Sequence, residues 1–70
     1  MTNEQINANR QLANSVAREL NLSAQGIAIF VDSEGHYHMR GPGAVHSLLA
    51  ESSRERLVAH AKGFADNLRG

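Results

Sequence analysis

IAIFVDSEGHYHMRG, residues 27–41, is the segment in which apolar side chains recur at every second position. At its centre Asp32, Ser33, Glu34 and Gly35 put aspartate first and glycine fourth, the residues favoured by a type I turn that closes with a bulge. The pattern predicts an antiparallel hairpin. With Asp32 opposite His36, the pairs run Val31 with Tyr37, Phe30 with His38, Ile29 with Met39 and Ala28 with Arg40. Alternation then places Ile27, Ile29, Val31, Tyr37 and Met39 on a core face, and Ala28, Phe30, Asp32, His36, His38 and Arg40 on the opposite one. A one-residue slip of either strand would mix the two sets, so the composition itself favours this register.

On the N-terminal side, TNEQINANRQLANSVARELNL begins at Thr2 with a threonine and a glutamine three residues apart, the spacing of a capping box. Ile6, Leu12, Ala13, Val16, Ala17 and Leu20 fall near one helical face, which predicts a helix over residues 3–21. Asn7, Arg10, Gln11, Asn14 and Arg18 make its solvated side. On the C-terminal side, Gly41-Pro42-Gly43 ends the hairpin. AVHSLLAE, residues 44–51, carries Val45, Leu48 and Leu49 at helical spacing and predicts a short helix. Ser52 with Glu55 offers a second capping box, after which Leu57, Val58, Ala61, Phe64, Ala65 and Leu68 repeat every three or four residues toward the end of the chain. The expected fold class is α+β: an N-terminal helix, a two-stranded antiparallel hairpin, then a short and a longer C-terminal helix. It forms one domain over residues 1–70.

Seven basic and seven acidic side chains cancel in this chain of 70 residues, leaving no excess charge to attract nucleic acid or an anionic membrane. There is no cysteine, hence no disulfide framework and no thiolate zinc site. The polar opening MTNEQINANR lacks the charged-then-apolar pattern of a secretory signal, and no apolar run nears the roughly 18 residues of a membrane span. A cytoplasmic location is expected. A chain this small, rich in alanine and built on a two-stranded sheet, has little core and two unpaired strand edges, so a homodimer is also expected.

The chemistry-bearing residues admit several readings. His36 and His38, two apart on one strand face, have a spacing that can set two imidazoles on one metal, with His46 or His60 as a third ligand. As outward polar residues of a hairpin they need no metal, and no cofactor is expected. Asp32 and Glu34 are explained by the turn, and no serine stands between glycines as an activated nucleophile does. An anion could be held at Arg40-Gly41-Pro42-Gly43, which the demands of a turn explain equally well. These features do not predict an enzyme. Phe30, His36, Tyr37, His38 and Arg40 together combine aromatic rings with a guanidinium, the composition found at protein-binding hot spots, and are the expected partner-binding residues.

NANRQLANSVARELNL, residues 7–22, followed by IAIFVDSEGHYHMRGPGAVHSLL, residues 27–49, resembles the small early accessory proteins of Mu-like transposable bacteriophages, in particular the quorum-sensing anti-activator type. The likeness is spread along the whole chain and rests on no short motif, so it carries no binding residue across. It implies an inhibitor that binds host proteins in the bacterial cytoplasm: a LuxR-type transcriptional activator, through its DNA-binding domain, with the ATPase that extends type IV pili as a second target. The alternatives from other classes are a histidine-based metal-binding protein and a DNA-associated phage regulator.

Overall fold

Residues 2–48 and 53–69 are described by the computed structural model of the chain. The order is helix α1 (Asn3–Glu19), a single 3-10 turn (Ser23–Gln25), strands β1 (Ala28–Val31), β2 (Tyr37–Gly41) and β3 (Ala44–Leu48), and helix α2 (Arg54–Arg69). The class is α+β, with a three-stranded antiparallel sheet in the order β1-β2-β3 instead of a two-stranded one.

The capping box closes the start of α1 as its spacing implies: Gln5 N–H donates to Thr2 Oγ1 at 3.2 Å, and Thr2 N–H donates to Gln5 Oε1 at 2.8 Å. The helix stops at Glu19, two residues short of the expected end. Asn21 there takes a left-handed conformation with φ 52°, a state asparagine tolerates better than most residues. Leu22 then donates its N–H to the Ala17 carbonyl at 3.0 Å and drops its side chain into the core.

The first hairpin has the register read from its alternation, from Ala28 opposite Arg40 to Val31 opposite Tyr37. Gly35 N–H donates to the Asp32 carbonyl and Asp32 N–H to the His36 carbonyl, both at 3.0 Å, and Gly35 sits at φ 86°, the bulge position that calls for glycine. The side chain of Asn9 donates to the Gly35 carbonyl at 3.1 Å, tying α1 to this turn.

Residues 44–48 are the third strand and not the beginning of a helix; the remainder of the expected short helix, through residue 51, lies outside the described residues. Pro42 and Gly43 form the turn that makes this possible, with Gly41 paired to Ala44 and Gly43 at φ 73°. Proline at the first central position and a glycine of positive φ at the second are what a type II turn requires. Gly41 lets α2 pack close to the strand end: a Cβ there would overlap Leu68 Cδ1 and lie 3.2 Å from the Phe64 ring, so those side chains would have to shift.

Ser52 of the expected second capping box also lies outside the described residues. The start of α2 is held by its neighbour: Ser53 Oγ accepts from Arg56 N–H at 3.3 Å, and the Ser53 carbonyl from Leu57 N–H at 2.9 Å.

Both helices cover the same face of the sheet, α1 across β1 and α2 against β2 and α1. Between the layers Ile6, Ala13, Val16, Leu22, Ile27, Val31, Tyr37, Met39, Leu57, Ala61 and Ala65 are buried, with Ile29 and Phe64 packed at the margin. The small side chains Ala13, Ala61 and Ala65 leave the room that Tyr37 and Met39 fill. The other face of the sheet has no helix over it among the described residues.

Candidate functional site: the outward sheet face

Alternation and register together define that second face. Ala28, Arg40 and Val45 form one row across the three strands and Phe30, His38 and Ser47 the next, with Asp32 and His36 at the turn beyond. His38 is the hub. Its ring stacks on Phe30 with centroids 5.1 Å apart, and the Arg40 guanidinium carbon stands 5.6 Å from the Phe30 ring centroid on a cation-π contact. Phe30 remains 42 % exposed and Val45 65 %, so the apolar part of the face is open to a partner.

Hydrogen bonds fix the polar part. Asp32 Oδ1 accepts from the backbone N–H of Glu34 at 2.9 Å and of His36 at 3.0 Å, while Oδ2 lies 2.7 Å from His38 Nε2. His38 Nδ1 is in turn 2.9 Å from Ser47 Oγ. The hydrogen bond from His38, followed by that from the His36 N–H, holds the Asp32 carboxyl at about 2, well below its ordinary value. An ionised carboxylate only accepts, so Nε2 carries the proton toward Asp32. In the neutral imidazole Nδ1 then has a lone pair, and the Ser47 hydroxyl donates to it. One carboxylate, one imidazole and one hydroxyl are thus aligned across the hairpin turn, β2 and β3.

Of the residues expected to bind a partner, Phe30, His36, His38 and Arg40 share this side of the sheet. His36 sits at its turn end, 3.8 Å from Glu34 and 3.9 Å from Asp32. Tyr37 is on the other side. It is fully buried, its hydroxyl has no hydrogen-bond partner among the described residues, and burial raises its pKa. It supports the face from within and does not belong to the exposed cluster.

His46 pairs with Met39 and so lies on the helix side, where its ring stacks on His60 with centroids 5.5 Å apart and adjoins Phe64. The sheet therefore separates His46 and His60 from His36 and His38, and neither stands as the third ligand of a metal at those two. No group of three or more histidine and carboxylate side chains is arranged to hold a metal ion among the described residues. No helix of the described residues is long and apolar enough to cross a membrane.

The sequence alone does not place Val45 and Ser47 on this face, because the segment that holds them also fits a helical period. The signal that could have found them is Pro42-Gly43, the central pair of a turn, followed by the alternation of Ala44 and His46 with Val45 and Ser47. No protein-family model, curated protein or solved structure matches the chain.

Proposed function

We propose that the protein is a small phage-encoded inhibitor that acts by occupying a surface of a host protein, without turnover of that target. Its first target is a LuxR-type quorum-sensing activator, and its second the ATPase that extends type IV pili. The contact surface is the outward sheet face. The observation that carries this reading is the exposed Phe30, in contact with both the His38 ring and the Arg40 guanidinium, with open Val45 on the same face. Such a face joins an aromatic anchor to a charged rim on a rigid sheet, so little ordering cost attends binding. The choice of target rests on the resemblance to the phage anti-activators.

The same reading includes a homodimer in the host cytoplasm. Strand β1, Ala-Ile-Phe-Val, is an edge with no charge, proline or bulge to guard it, and an edge of that kind pairs readily with a second copy. Antiparallel pairing of two β1 edges leaves both outward faces on one side of a continuous sheet.

The test is a DNA mobility shift with a purified LuxR-type activator. Added wild-type protein should release the activator from DNA, and Phe30→Ser should do so far less well at equal folding. If Phe30→Ser inhibits like wild type, the outward face is not the contact surface.

A further inference from the structure

The outward face also holds a chemical group that surface occupation does not use. We propose that Ser47 is a nucleophilic serine, activated by His38 and oriented by Asp32, that accepts an acyl or phosphonyl group from an activated ester. The serine Oγ lies 2.9 Å from His38 Nδ1, and His38 Nε2 lies 2.7 Å from Asp32 Oδ2, within the reach that nucleophile, base and orienting group need. The two imidazole nitrogens exchange the roles they have in serine proteases, and the proton path is the same.

Three further features favour reaction at this hydroxyl. Ser47 is exposed, so an acyl donor reaches it directly. The stack on Phe30 fixes the plane of the imidazole, which leaves its Nδ1 lone pair aimed at Oγ. The backbone supplies the third. Asp32 N–H bonds to the His36 carbonyl, so alternation along the ladder makes Phe30 and His38 the next pair that exchanges hydrogen bonds. His38 therefore turns its backbone toward β1, and its pairing with Ser47 is of the kind that exchanges none. The Ser47 N–H points away from β2 at the edge of β3, where no acceptor stands among the described residues, and so toward an oxyanion formed on its own side chain. Val45, two residues back on the same face, and Phe30 offer apolar surface to the rest of the donor.

With an ester, Ser47 Oγ attacks the carbonyl carbon as its proton passes to His38 Nδ1. The carbon–oxygen bond of the leaving group then breaks, and the departing alcohol takes that proton from His38, leaving Ser47 acylated. With a fluorophosphonate, Oγ bonds to phosphorus, fluoride leaves, and His38 gives the proton to solvent.

This inference goes beyond the inhibitory reading, and its test needs no partner. The folded protein is incubated with a fluorophosphonate probe, and adducts are followed by intact mass and located by peptide mapping. One adduct at Ser47 is expected, lost in Ser47→Ala and in protein unfolded by urea. His38→Gln, shown by circular dichroism to be folded, should label about a hundredfold more slowly, the lower part of the range a positioned general base contributes. Asp32→Asn keeps the serine and imidazole and should also slow labelling. Wild-type labelling no faster than that of Ser47→Ala, or undiminished labelling of folded His38→Gln, overturns the proposal.

Discussion

Phe30 and His38 occupy the same rung of β1 and β2, and their rings stack with planes 20° apart on the open side of the sheet. An aromatic pair of this kind adds about 0.5 to 1.5 kcal/mol beyond its buried area. Phe30→Ala should therefore cost little more than that, because 42 % of the residue is already exposed to water. Urea denaturation checks this; a loss above about 3 kcal/mol would mean that Phe30 acts as core.

Acid should loosen the same face. The Asp32 carboxyl titrates near 2 in the folded chain against an ordinary 3.8, so folding favours its ionised form. A lowered folded value contributes stability that is complete above the unfolded pKa and is lost as pH falls through the folded one. Wild-type stability should thus decline between about pH 4 and pH 2, and Asp32→Asn should remove that part of the decline. Thermal melts over this range, read for both proteins, decide it. Identical slopes would show that Asp32 has no such role.

Glycine at position 35 answers to backbone geometry, with φ at 86°. Gly35→Val should destabilise the fold by about 1 to 3 kcal/mol, the cost of a side chain forced into that region. An unchanged melting temperature would contradict the turn geometry.

If two copies associate, the melting temperature must rise with protein concentration, since association favours the folded state by mass action. Melts over a hundredfold range of concentration, paired with sedimentation, give the answer. A folded monomer whose melting temperature does not move would remove the dimer from the account.

The hairpin was legible because its two faces differ in composition: Tyr37 and Met39 on one strand meet Ile29 and Val31 on the other only in one register. The third strand was not, because Val45, Leu48 and Leu49 satisfy a helical period while Ala44 through Leu48 also satisfy a strand. Five residues cannot separate the two periods, and the deciding information lies in Pro42-Gly43 and in the neighbouring strand that pairs with them. The site shared that fate. Asp32 and His38 could be placed on one face from the sequence, yet Ser47 joins them only through the pairing of β2 with β3. Tyr37 was given two roles by its chemistry, core ring and contact hydroxyl; complete burial leaves it the first.

Binding of a LuxR-type activator to face variants tests the central claim most directly. Arg40→Ala with Val45→Ser alters only exposed side chains and should leave stability within about 1 kcal/mol. Met39→Ala opens the core and should cost about 2 to 5 kcal/mol. Titration of the purified activator should show the Arg40 and Val45 double variant binding at least thirtyfold more weakly, as loss of an interface anchor worth about 2 kcal/mol requires. Met39→Ala, measured at a temperature where it remains folded, should bind nearly as wild type does. A double variant that folds and binds the activator with wild-type affinity would contradict the assignment of the outward sheet face as the contact surface.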